Sequence, residues 1–195
     1  MKKVGCLIIL FFVIINLSGQ TPGKAKESGY FNLTSFSGII GSSDDNLDTK
    51  EWISSVTMVN GYSFNKHFSV GVGAGAEFYK YAVFPVFADF RYKFPMQNYT
   101  PFIALQGGYS FANNHKKLLD IYNHNASFKN KGGWMFGPQA GVEFLLKPNI
   151  GLVVGVGYRY QKLKSEIKES TYYPMEDVIG TTFNRLVFTI GILLK

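Results

Sequence analysis

The chain is almost without sulfur chemistry. Its single cysteine, Cys6, lies near the start of a 195-residue sequence. Everything beyond it is therefore without disulfides, thiol nucleophiles and cysteine-ligated metals. Small secreted domains often use disulfides to offset a weak core, so this one must be held by packing and hydrogen bonds. Long apolar runs are also missing once the first 19 residues are passed, and a spanning helix needs about 20 such residues in a row. Acids are scarce beside bases, 13 Asp and Glu against 20 Lys and Arg, for a formal charge of +7. A basic excess suits a phosphate-bearing partner. With a secretory address, that partner is expected to be an anionic lipid headgroup rather than nucleic acid.

What is present begins with Met1-Lys2-Lys3, an apolar run from Val4 to Ile15, and Asn16-Leu17-Ser18-Gly19-Gln20. A charged start, a short apolar stretch and a small-residue exit are the parts of a secretory signal. We read residues 1–19 as a cleavable signal peptide and 20–195 as a single domain carrying a charge of +5. In that domain glycine and aromatic residues are both frequent, a composition of many short strands.

The strands show as period-2 alternation over about ten residues, because successive side chains of a strand point to opposite faces. In Phe68–Tyr79, Phe68, Val70, Val72, Ala74, Ala76 and Phe78 share one face, while Ser69, Gly71, Gly73, Gly75 and Glu77 share the other. Phe84–Phe94 repeats the pattern, with Asp89, Arg91 and Lys93 on the polar face and Phe87 out of phase. Phe102–Phe111, Trp134–Phe144, Ile150–Gln161 and Arg185–Leu194 follow, and Tyr30–Gly41 and Trp52–Phe64 are fainter, with Asn60 on an otherwise apolar face. Eight strands result. Asn65–His67, Pro95–Thr100 and Leu145–Asn149 are short connections; Ser42–Glu51, Ala112–Gly132 and Lys162–Asn184 read as long polar loops. Pro85 and Pro101 fall at strand ends, and Pro138 predicts a bulge or irregularity.

An eight-stranded barrel has an interior just wide enough for side chains to fill. The bulky apolar face then belongs outside, against lipid, and the glycine-rich polar face inside. The expected fold is all-β: an eight-stranded antiparallel up-and-down transmembrane β-barrel, monomeric, with short turns on the periplasmic side and long loops outside. Its interior polar network is expected to comprise Glu77, Asp89, Arg91, Lys93, Gln106, Gln139, Glu143, Arg159 and Arg185. Charges of both signs in a narrow lumen should pair: Glu77 with Arg159 or Arg185, and Glu143 with Arg91 or Lys93.

Gly61-Tyr62, Gly71/Gly73/Gly75, Pro85–Tyr92, Pro101-Phe102, Gly107-Gly108-Tyr109, Gly141-Val142 and Gly157-Tyr158-Arg159-Tyr160 carry a resemblance to the small outer-membrane β-barrel family, with its OmpA- and OmpX-type members. It implies a place in the outer membrane of a Gram-negative bacterium. The family includes structural proteins, adhesins, narrow pores and a few lipid-modifying enzymes, so it implies no single reaction.

The remaining candidates for chemistry are sparse. His115 and His124 stand near Asp120 in the Ala112–Gly132 segment, without the nucleophile elbow of an acyl hydrolase and without the spacing of a strong metal site. Neither a catalytic, a cofactor nor a metal site is expected. Lys116, Lys117, Lys129 and Lys131 of the same segment suit the phosphates of lipopolysaccharide. The reading that results is a non-enzymatic barrel with a structural or surface-interaction role. A narrow passive channel and a lipid-modifying enzyme are the alternatives.

Overall fold

The computed structural model describes residues 28–43, 52–78, 82–113, 117–121, 124–169 and 176–195, with the backbone alone at 42–43, 117–121, 124–130, 165–169 and 176–179. Among these residues there are ten strands and no helix: β1 (Gly29–Ser43), β2 (Trp52–Ser63), β3 (Phe68–Phe78), β4 (Ala82–Lys93), β5 (Thr100–Ala112), β6 (Lys117–Ile121), β7 (His124–Lys131), β8 (Gly133–Lys147), β9 (Ile150–Glu169) and β10 (Glu176–Leu194). Strands β1 to β5 pair in chain order, β5 pairs with β8, β8 with β9, β9 with β10, and β10 returns to β1, every pair antiparallel. Eight strands thus close into a barrel with no free edge, the arrangement that satisfies backbone groups where no water reaches them.

The faces follow the alternation. Val72, Phe90, Val154 and Phe188 are exposed on the outside, with Val72 63% accessible. Glu77 and Asp89 are wholly buried inside. Among the described residues, the outward face of the barrel strands carries no charged side chain between the aromatic rims, and the exposed Lys147, Lys162 and Lys164 stand at the strand ends beyond them. Soluble monomers rarely expose a contiguous apolar patch beyond a few hundred Å², whereas this one encircles the molecule, so the barrel's solvent on that face is lipid. Polar groups on that face find partners: Asn60 Oδ1 accepts hydrogen bonds from Tyr30 Oη (2.5 Å) and Asn32 Nδ2 (2.6 Å).

Aromatic rings mark both rims. At the short-turn rim Phe64 packs against Tyr62 and Phe68, and Tyr92 against Phe94, while Tyr109 packs against Phe111 and Trp134 at the other. Such girdles sit at the two membrane interfaces.

Three expectations need correction. The segments read as long polar loops are partly strand. β6 and β7 form a hairpin within Ala112–Gly132, and β9 and β10 run on through Lys162–Glu169 and Glu176–Asn184. β7 pairs with the outer part of β9, from Ala126↔Glu169 to Lys131↔Lys164, so a sheet β6–β7–β9–β10 stands above the barrel. Secondly, the irregularity at Pro138 is a lapse in the ladder rather than a bulge: pairing with β9 skips Gly137 and Pro138 and resumes in phase, and a register shift comes only later, between Leu145 and Lys147. Pro85 lies inside β4 rather than at its end, and there pairing with β3 lapses between Ala74↔Val86 and Glu77↔Val83. A proline has no N–H to give, and an interrupted ladder absorbs that loss without changing phase. Thirdly, the interior is not purely polar. Phe31, Leu33, Phe87 and Phe102 point inward, as do Ile39, Ile53, Val83, Leu163, Phe183 and Val187 at the end away from the short turns. Phe87, out of phase with the outward residues of its strand, is a core residue.

Candidate functional site: a plugged lumen

The lumen is built from the inward residues of eight strands. All nine residues of the expected network face it; Gln139 is half-buried and the rest are buried. Eight of them, all but Arg185, join into one chain of contacts. Glu77 Oε1 accepts from Arg159 Nη1. Arg159 Nη2 donates to Gln106 Oε1 at 3.3 Å, and Gln106 Nε2 donates to Asp89 Oδ2 at 2.9 Å. Asp89 pairs with Arg91 Nε at 3.4 Å. Arg91 and Lys93 both approach Glu143 Oε1, at 3.7 and 3.3 Å. Gln139 Nε2 reaches Gln106 Oε1 at 3.5 Å.

Gln106 is the joint of this chain. One amide accepts from the upper arginine and donates to the lower carboxylate, so two ion-pair clusters that alternation assigns to opposite ends become one network. Buried charges are tolerated when each is paired and hydrogen-bonded, and three of the cations have a further neighbour in a ring face. Arg91 lies 4.4 Å from the Phe102 centroid, Arg185 4.1 Å from Phe183 and Lys93 5.5 Å from Phe31.

Both pairings expected for the carboxylates at the two ends are present, Glu77 with Arg159 and Glu143 with Arg91 and Lys93. Three participants were missed. Lys195 Nζ sits 3.4 Å from Glu143 Oε2; it keeps the inward parity of Gly191 and Leu193, which is the signal that points to it. Gln161 donates to Ser110 Oγ at 2.8 Å and to Glu77 Oε2 at 3.4 Å. Both lie on polar faces that the alternation identifies.

Beside the upper cluster and beyond it toward the outer mouth, Ile39, Ile53, Val83, Leu163, Phe183 and Val187 form an apolar cluster, with Val83 directly opposite Glu77. Between the clusters a cavity of about 10 Å³ remains, lined by Ser35, Ser37, Thr57, Arg91, Gln106 and Arg159 among others. That is room for about one water.

The other candidates divide. Lys131 is exposed at the end of β7. Lys116 and His115 lie outside the described residues, as do the side chains of Lys117, Lys129, Asp120 and His124 and all of residues 1–19, the expected signal peptide. His67 sits in a short turn, where Nδ1 is 3.0 Å from the Lys93 carbonyl and the ring stacks on Tyr92.

No family model matches the sequence, and no curated protein does. Solved structures do resemble it. The outer membrane protein OprG from Pseudomonas aeruginosa aligns at TM-score 0.60 and 16% identity, over 90% of this chain and 98% of that one. AlkL, an outer membrane protein solved in lipid bilayers, aligns at 0.60 and 14%, over 90% and 93%. Neisserial surface protein A aligns at 0.59 and 14%, over 86% and 98%. At such identities the likeness is one of architecture: the chain has the fold of the small eight-stranded outer-membrane β-barrels.

Proposed function

We propose that this protein is an integral barrel of a Gram-negative outer membrane, delivered by the leader at residues 1–19, with a structural or surface-interaction role and no catalysis. It acts as a monomer, and the sheet standing above the barrel is its contact surface. The observation that carries this reading is the combination of an apolar exterior with a filled interior. A belt free of charge surrounds a lumen crossed by paired ions and filled toward its outer mouth by an apolar cluster. Bare hydrocarbon is the setting in which such an exterior is stable, since a Lys or Arg at the bilayer midplane costs roughly 2–4 kcal/mol. A lumen filled by the buried side chains of the described residues suits a scaffold better than a pore. The basic surface above the barrel suits the phosphates of lipopolysaccharide, and Lys131 is the described member of the group Lys116, Lys117, Lys129 and Lys131.

The test is reconstitution of the folded protein, identified by heat-modifiable gel migration, into planar bilayers. No conductance steps above background are expected. Stable single-channel steps would overturn the closed-lumen reading, and recovery of the protein in the soluble fraction without detergent would overturn the membrane one.

A further inference from the structure

The cavity between the two ion-pair clusters has a wall of unusual composition. Two guanidiniums border it, those of Arg91 on β4 and Arg159 on β9, together with the amides of Gln106 and Gln139 and the hydroxyls of Ser35, Ser37 and Thr57. Among the described residues no carboxylate lines it. The acids that pair with the two guanidiniums stand outside the wall, Glu77 at Arg159 Nη1 and Asp89 at Arg91 Nε. Each ion pair thus turns its positive end to the cavity, and the two positive ends meet across it.

Hydrogen-bond donors are also in surplus there. The side chains of Arg91 and Arg159 are 2% and 4% exposed. Arg159 Nε and Arg91 Nη1 nevertheless make no hydrogen bond among the described residues. Arg91 Nη1 is 3.7 Å from Glu143 Oε1, beyond hydrogen-bond reach. The amide oxygen on the wall is already in use, since Gln106 Oε1 receives both Arg159 Nη2 and Gln139 Nε2. The hydroxyls can rotate to donate as well. Leaving a charged donor buried without an acceptor costs more than leaving a neutral one. A water accepts from such donors but brings two hydrogens that need acceptors in turn. A monatomic anion accepts from every side and needs none. In an interior of low dielectric its attraction to two guanidiniums is only weakly screened.

We infer that this cavity binds one halide ion, chloride in ordinary media, held by Arg91 and Arg159 with hydroxyl donors from Ser35, Ser37 and Thr57. The cavity, about 10 Å³, has room for one particle of about the size of water. Phosphate, sulfate and carboxylates are too large for it. A halide is a little larger than water, and the bordering guanidiniums and amides are the ends of long side chains that can settle around it. The ion joins β4 to β9 across the lumen, a connection that Gln106 also makes through its bonds to Asp89 and Arg159.

The experiment uses the full protein folded in detergent. Urea unfolding is followed while chloride or bromide replaces gluconate at constant ionic strength, gluconate being too large to enter. A ligand that binds only the folded state adds about 1.4 kcal/mol for each tenfold rise in concentration above its Kd. With a urea slope of about 1–3 kcal/mol/M, the midpoint should rise by about 0.5–1.4 M per tenfold halide. Crystals grown in bromide should show one anomalous peak inside the barrel, between Arg91 and Arg159. The variant is Gln139→Glu, which places a tethered carboxylate beside the cavity to take the ion's place. It should lose the halide dependence and the bromide peak. A wild-type midpoint indifferent to halide, or a bromide map without that peak, overturns the site and leaves the cavity to water. Full halide dependence retained in Gln139→Glu overturns it too, because the stabilising ion then binds elsewhere. Should that variant fail to show heat-modifiable migration, the wild-type titration and the bromide map decide the matter by themselves.

Discussion

At the scale of single residues, the interior is decided by glycine as much as by charge. Four phenylalanines point into a lumen that alternation alone assigns to small and polar groups, and three of them have glycines beneath the ring. A Cβ at Gly61 would stand 2.6 Å from the Phe31 ring, one at Gly141 would stand 2.7 Å from Phe102, and one at Gly73 would stand 2.4 Å from Phe87. Each pair is a large residue fitted over a vacancy on a neighbouring wall, which is how a narrow barrel reaches close packing. In the sequence, Phe87 reads only as an interruption of phase. Its role becomes visible when Gly73 is set opposite it by the β3–β4 register. Overpacking typically costs about 1–3 kcal/mol. We expect Gly73→Ala to lower stability by that amount in urea unfolding of the detergent-folded barrel. Adding Phe87→Leu should recover part of the loss, because the added methyl then meets a smaller partner and the two changes are not additive. A double variant whose loss equals the sum of the single losses would show that the ring is not what the methyl strikes.

At the scale of elements, the strands that cross the bilayer were legible and those that leave it were not. Crossing strands carry one face of large apolar side chains, and that contrast is what the alternation registers. Beyond Gln161 the alternation persists, with Lys162, Lys164, Glu166 and Lys168 against Leu163, Ser165 and Ile167. Neither face is apolar enough to read as lipid-facing, so a strand of 20 residues passes for a shorter strand and a loop. About 9–11 tilted residues suffice to span, and the remainder of β9 and β10 forms the sheet outside. The join between that sheet and the barrel is local and specific. Between Lys131↔Lys164 and Met135↔Gln161, three residues on β7–β8 oppose two on β9. The extra residue is a bulge at Gly132-Gly133. The backbone passes so close there that a Cβ at Gly133 would lie 1.4 Å from the Lys162 carbonyl oxygen, and backbone cannot yield as a flexible side chain can. Gly133→Ala should therefore detach β7 from β9 while the barrel stays closed. Amides at 126–131 and 164–169 lose hydrogen-exchange protection, and those of β3 and β4 keep theirs. Uniform loss of protection would mean that the sheet and the barrel fold as one unit.

At the scale of the whole molecule, the barrel is closed twice over, by mechanisms of different kinds placed in series along the axis. The polar network links the two ends of the lumen through Gln106, with paired charges filling its cross-section. Toward the outer mouth the lumen is filled by apolar side chains, and a hydrophobic constriction blocks ions by excluding water. Barriers in series are opened only when both are removed. Deleting Glu77 and Arg159 together, as Glu77→Ala with Arg159→Ala, avoids leaving one charge buried without its partner, which by itself costs about 3–5 kcal/mol. That double variant should still fold, by heat-modifiable migration, and should still show no conductance, because Ile39, Ile53, Val83, Leu163, Phe183 and Val187 remain in the lumen. Adding Ile39→Ala and Phe183→Ala to it should produce small, discrete single-channel steps in planar bilayers, while those two changes in the wild-type background should not, since the ion pairs below are intact. Conductance in the first double variant would show that the apolar cluster is no seal. Silence in the quadruple variant would place the decisive barrier lower, among Arg91, Lys93 and Glu143, where three charged side chains and Lys195 converge at the short-turn end.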